Sequence, residues 1–146
     1  MLNIPVVRAD IDLELPAHAT PGDAGVDLRA SEDVVIAAGG GRALVPTGIS
    51  IAIPDGFAGF IQPRSGLAYK HGVTVLNTPG LIDRGYRGEL KVLLINTDPE
   101  TEFHVVRGER IAQLVIQAYE QVSFVEVDDL VDSERGLGGF GSTGTA

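Results

Sequence analysis

ALVPTGISIAIPDGFAGFIQ, residues 43–62, decides the class of fold. GISIAI alternates apolar with small or polar residues, the period-two pattern of a strand with one buried face. IPDG interrupts it with a proline and a glycine, and FAGFIQ (Phe57 to Gln62) resumes the extended pattern. Upstream, AAGGG separates VVIA (Val34 to Ala37) from this stretch. Downstream come VTVLNT, ELKVLLINT, FHVV and RIAQLVIQAYEQVSFVEV, divided by TPG, NTDPET and RGE. FVEV alternates like a half-buried strand, and the unbroken KVLLI suits a strand covered on both faces. Many short strands with Gly/Pro turns predict an all-β, antiparallel sandwich or barrel.

One short helix is expected, in SGLAYKHG, with Ser65 at or near its N-cap and Gly72 just past its end. No long 3.6-residue period, internal repeat or linker is visible. The chain therefore reads as one β domain over residues 1–132, followed by a glycine-rich arm over 133–146. Self-association would protect the strand edges of such a fold.

Composition narrows the chemistry. The 146 residues carry a formal net charge of −9, which disfavours a general grip on nucleic acid through phosphates. A small polyanion remains open to it if a few arginines converge. With no cysteine there is neither disulfide nor thiolate metal ligand, as suits a reducing cytoplasm. The opening MLNIPVVRADIDLELP holds no apolar stretch of signal-peptide or membrane-spanning length, so no membrane association is expected.

Five stretches hold the residues that could do chemistry. PGDAGVDLRA (Pro21 to Ala30) sets Asp23 and Asp27 in a turn-to-strand passage. They suit either a solvated turn or an acid that orients a water or hydrated metal ion. QPRSGLA (Gln62 to Ala68) offers Arg64, Ser65 and Gly66 at a helix start, which is either a phosphate site or an ordinary cap. VLNTPGLIDRGYRGELKV (Val75 to Val92) brings Asn77, which could read a base edge, and Asp83 behind apolar Leu81 and Ile82. Partial burial would fit that carboxylate to act as a general base, although a hairpin with an exposed acid reads as well. Tyr86 offers a ring to a sugar or base. In VRGERIAQLVI, Arg107 and Arg110 flank a glycine turn, and Gln113 inside an apolar strand needs a partner, from backbone or phosphate. RGLGGFGSTG (Arg135 to Gly144) combines a charge, hydroxyls, one ring and glycines able to turn N–H groups toward an anion; a flexible tail is the alternative. His18, His71 and His104 lack metal-ligand spacing and read as surface or packing residues.

Taken in order, AGVDLRA, PRSGLA, NTPGLIDRGYRGE, RGERIAQL and RGLGGFGSTG resemble the five motifs of the trimeric deoxyuridine triphosphate nucleotidohydrolases (dUTPases). The resemblance runs from Asp23 to Gly144. It implies a jelly-roll-like β fold, a homotrimer with active sites shared between chains, and Mg²⁺-assisted hydrolysis of dUTP to dUMP and pyrophosphate. Asp83 would be the base that activates water for attack on the α-phosphorus. Arg64, Ser65, Gly66 and Gln113 would hold phosphates, and Asn77 with the backbone around Leu81, Ile82 and Lys91 would read uracil. Tyr86 would pack on deoxyribose and leave no room for a 2′-hydroxyl. Asp27 would act on waters around Mg²⁺, with no direct protein ligand to the metal. The arm would be a lid, with Arg135 on the γ-phosphate, Phe140 over uracil, and Gly141, Ser142 and Thr143 around the phosphates. Two positions depart from the usual pattern, Val26 and Lys91, and neither removes a functional group.

Two neighbouring readings remain. The related deoxycytidine triphosphate deaminases use a glutamate where this chain has Asp83. A non-catalytic nucleotide-binding protein on the same scaffold would not need Asp83, Ser65, Gln113 and Arg135 together.

Overall fold

Burial alternates along the strands as the apolar pattern requires. Ile49 and Ile51 are buried on either side of half-exposed Ser50, and Val92, Leu94 and Asn96 turn inward along one strand. The computed structural model describes residues 2–133 and 136. Its strands are β1 (Val6–Arg8), β2 (Gly25–Arg29), β3 (Val34–Ile36), β4 (Arg42–Pro46), β5 (Ile49–Ile51) and β6 (Phe57–Gln62). The helix α1 (Ser65–His71) follows, then β7 (Val73–Val75), β8 (Gly80–Ile82), β9 (Lys91–Asn96), β10 (Phe103–Val105) and β11 (Arg110–Ala118).

Every pairing is antiparallel. A four-stranded sheet runs β2–β11–β6–β8 and a three-stranded one β4–β9–β7, with the short pairs β1–β5 and β10–β3 beside them. Leu28, Ile61 and Leu114 from the first sheet share one core with Val45, Val75, Val92 and Leu94 from the second. The fold is thus an all-β, jelly-roll-like sandwich with one short helix. Among the described residues no ladder closes the sheets into a barrel.

Two local expectations are corrected and one, that Ser65 lies at or near the N-cap, is made more definite. The KVLLI run is covered on one face only: Val92 and Leu94 are buried, while Lys91 is exposed and Leu93 and Ile95 are half-buried. Ser65 is the first helical residue. The N-cap is Arg64, in extended conformation and without a side-chain cap bond, because a guanidinium has only donors and cannot accept a backbone N–H. Gly72 does end the helix, in the left-handed region at φ 63°. Finally, FVEV forms no strand. Residues 119–133 carry no helix or strand, and Phe124 is 95% exposed. Alternation makes a strand only where an edge and an apolar surface receive it, and the chain by itself offers this segment neither.

Asn96 joins β9 to its surroundings from a fully buried position. Its Nδ2 donates to the carbonyls of Ile36 (3.3 Å) and Thr101 (2.8 Å), and its Oδ1 accepts the Asp98 N–H at 3.0 Å. Asp98 in turn accepts the N–H groups of Glu100 and Thr101, which hold its carboxyl below the ordinary aspartate range. Replacing Asn96 by Ala should therefore cost about 2–3 kcal/mol in urea unfolding, since it strands buried polar groups. Because the Asp98 pKa is lowered on folding, its contribution is present above the unfolded value and disappears as pH falls through the folded one. Asp98→Asn should accordingly lose less melting temperature than the parent between about pH 6 and pH 3.

Candidate active site

The four-stranded sheet sets three polar residues in one row. Asp27 on β2 stands opposite Gln113 on β11, which stands opposite Gln62 on β6. Directly opposed residues on neighbouring strands present their side chains to the same face. Pro63 then ends β6 and directs Arg64, Ser65 and Gly66 toward that row.

Charge fixes the rest. The Asp27 carboxylate receives Arg110 at Oδ2 (3.1 Å) and faces the Arg64 Nε from Oδ1 (3.4 Å). Arg64 also donates to the Arg110 carbonyl at 3.0 Å. Asp27, Arg64 and Arg110 retain side-chain exposures of 22%, 28% and 44%, so these pairs are screened and matter for orientation more than stability. One acid thereby holds two guanidinium groups that would otherwise repel. Gln113 donates from Nε2 to the Pro63 carbonyl at 2.9 Å, so a backbone partner answers its need. Its Oε1 lies over Gly25, where a β-carbon would come within 2.9 Å of it. Around these groups opens a cleft of about 610 Å³, lined by Asp27, Arg64, Ser65, Gly66, Arg110 and Gln113 among others. Such a cleft, with convergent cationic and N–H donors, suits a phosphate chain.

Asp23, at the rim, behaves as the turn residue the sequence allowed: its Oδ2 accepts the Thr20 N–H at 2.8 Å.

The segment after α1 carries the other candidates; its β8 pairs with β6 while β7 pairs with β9, so it forms no hairpin. Asp83 follows β8 directly and is exposed, with Leu81 exposed and Ile82 half-buried beside it. The chain alone therefore does not supply the partial burial expected for this acid. Asp83 lines a separate depression of about 460 Å³ with Phe60, Leu81, Arg84 and Tyr119, and the Arg64 cleft does not include it. Asn77 is exposed and its amide lies over buried Gly80, where a β-carbon would stand 3.4 Å from Nδ2. Tyr86 donates its hydroxyl to the Glu89 carbonyl at 2.9 Å. Lys91 opens β9 with its ammonium 3.8 Å from Glu89. Arg135, Phe140, Gly141, Ser142 and Thr143 lie outside the described residues.

Arg110 is the residue the sequence did not separate from its neighbour. Arg107 and Arg110 flank the same turn, yet Arg107 is spent on Asp10, the Ser31 carbonyl and, through its N–H, Asp33. Arg110 reaches the cleft because β11 shifts register between residues 110 and 112. That bulge buries Ile111 and Ala112 in succession and turns Arg110 to the side of Gln113, three residues away. Gln62, in the same row, also lines the cleft, and its place at the end of an apolar strand gives the sequence no signal for it. The histidines match their expectation: His71 packs on Phe103 at 5.2 Å, and exposed His104 pairs with Glu102.

A β sandwich with a cleft at the start of its one helix, where Arg64 and Arg110 meet around Asp27, offers donors to an anionic ligand, and the comparisons make the class specific. The dUTPase family model matches residues 12–144. The chain is 62% identical over 143 residues to the deoxyuridine 5′-triphosphate nucleotidohydrolase of Thermobifida fusca, covering 98% of this chain and 79% of that one. It is 49% identical to the Cutibacterium acnes protein of the same name, covering 100% and 95%. Among solved structures, the Staphylococcus bacteriophage 80alpha dUTPase with dUPNHPP superposes with TM-score 0.91 at 27% identity, covering 99% of this chain and 100% of that one. The chain belongs to the dUTPase family.

Gly25 has no left-handed backbone angle, so Ala is tolerated there except for its contact with Gln113. Gly25→Ala should weaken inorganic tripolyphosphate binding by roughly tenfold or more, the worth of a hydrogen bond to a charged group, with little change in melting temperature. Calorimetric titration would show it, and unchanged affinity would mean that Gln113 does not face the phosphates.

Proposed function

We propose that this protein hydrolyses dUTP to dUMP and pyrophosphate, removing dUTP from the nucleotide pool and supplying dUMP for thymidylate synthesis. The observation that carries this reading is the cleft where Asp27 orients Arg64 and Arg110 beside Ser65, Gly66 and Gln113, in a chain of this family. Arg64, Ser65, Gly66 and Gln113 hold the triphosphate. Asn77 and the backbone of Leu81, Ile82 and Lys91 read the uracil edge, so that cytosine would leave polar groups unpaired. Tyr86 packs on the deoxyribose. Asp83 accepts the proton of the water that attacks the α-phosphorus, and pyrophosphate leaves in line.

The protein acts as a homotrimer with sites between chains. The separation of Asp83 from the Arg64 cleft within one chain supports this, as do the bare apolar residues 122–131. A neighbouring chain would bring the base to the phosphates and exclude water from it. Arg135, Phe140, Gly141, Ser142 and Thr143 form the lid, with Phe140 on the base and the rest on phosphates. The reaction belongs to the cytoplasm, where its substrate pool lies; no helix among the described residues is long and apolar enough to cross a membrane.

Among the described residues no three His, Cys, Asp or Glu side chains cluster, and both Asp27 oxygens face guanidinium groups. Arg64 and Gln113 would hold the phosphates on which Mg²⁺ arrives, and Asp27 would face its waters. Bound there, Mg²⁺ would supply neutralisation of the phosphate charge.

Product analysis with Mg²⁺ and dUTP, UTP, dTTP or dCTP tests the reading. Pyrophosphate and dUMP from dUTP alone are expected; ammonia from dCTP, or silence everywhere, would refute it. Asp83→Asn should lose turnover by about a hundredfold to ten-thousandfold while retaining dUTP affinity. Deleting Arg135 onward should leave a folded oligomer with severely reduced turnover, and near-normal rates would remove the lid.

A further inference from the structure

Tyr86 is held in a seat built by its own loop. The chain turns back at Asp83, whose carbonyl accepts the Tyr86 N–H at 3.0 Å, and the ring then folds over the backbone two residues further on. There the Tyr86 hydroxyl donates to the Glu89 carbonyl at 2.9 Å. A β-carbon on Gly88 would lie 2.5 Å from the Tyr86 oxygen and 2.7 Å from Cζ. No other group crowds it more closely, and Gly88 is exposed and free of a left-handed φ. The glycine is therefore needed for the ring and not for the turn.

Glu89 ties this seat to the sandwich. Its Oε1 accepts the N–H of Gly48 at 2.9 Å, a buried glycine at φ 69° between β4 and β5. Next to it, Leu90 donates to the Ile49 carbonyl at 2.8 Å and accepts the N–H and hydroxyl of buried Thr47 at 3.2 and 2.6 Å. The carbonyl that anchors the tyrosine is thus fixed to a turn of the core, while the rest of the loop, Arg84 to Gly88, is exposed.

We propose that Gly88 and Glu89 are positioning residues that set the angle of the Tyr86 ring, and through it the preference for deoxyribose over ribose. The proposal rests on the reading that Tyr86 packs on the sugar. A ring excludes one hydroxyl only if it cannot yield. Gly88 lets it lie flat against the loop, and Glu89 keeps the loop from shifting.

The test compares kcat and KM for dUTP and UTP, with Mg²⁺ in the assay, in the parent and in Gly88→Ala, Glu89→Ala and Glu89→Gln. Gly88→Ala should melt with the parent and lower the dUTP-to-UTP ratio of kcat/KM at least tenfold. Glu89→Ala should lower the ratio as well. Glu89→Gln, which keeps an oxygen for the Gly48 N–H, should restore it. An unchanged ratio in a folded Gly88→Ala protein overturns the seat. Equal loss in both Glu89 variants overturns the role of its side chain. If Gly88→Ala fails to fold, the Glu89 pair decides. If the parent turns over no dUTP, the hydrolase reading fails, and the ratio of dUMP to UMP affinities in the same variants still decides the seat.

Discussion

Two arginines share one acid, and the candidate site depends on that sharing. Arg64 arrives from the end of β6 and Arg110 from the start of β11, and without Asp27 between them their charges would push apart. Held by one carboxylate, both guanidinium groups stay beside the same cleft with donors left over for a phosphate chain. A protein with a formal net charge of −9 can attract a polyanion only through such local concentration of its few cations. Partial exposure keeps the ion pairs weak, so incoming phosphates compete for the arginines at little cost to the fold.

β11 makes this geometry possible. It lies between β2 and β6, so Gln113 faces Asp27 on one side and Gln62 on the other. Its bulge turns Arg110 toward the same surface. Two glycines complete the arrangement: Gly25 leaves room for the Gln113 side chain and Gly88 for Tyr86. In each case the missing β-carbon makes space for a neighbouring candidate side chain, not for an unusual backbone angle.

The single chain also carries surfaces that look unfinished. Asp83 stands exposed in its own depression, and Val122, Phe124, Val125, Leu130 and Val131 face solvent beyond the last strand. Apolar side chains in such a row gain free energy only when another surface covers them. Shared sites between copies would cover both features at once, which is why the homotrimer belongs to the functional reading.

The sequence by itself determined the all-β class, most strand positions and the end of the helix at Gly72, because alternation and glycine turns are local signals. FAGFIQ became β6 residue for residue. The order of the five motifs named the family. Local pattern could not tell Arg110 from Arg107, since a bulge that depends on strand pairing turns one into the cleft while Asp10 and Ser31 occupy the other. Nor could it show that FVEV lacks a strand to pair with, that KVLLI is covered on one face, or that Arg64 answers to Asp27. These are decided by residues far apart in the chain, Asp27 with Arg110 and Ser31 with Arg107. Which side chains meet across such distances depends on register and twist, and those exist only once the sheets have formed.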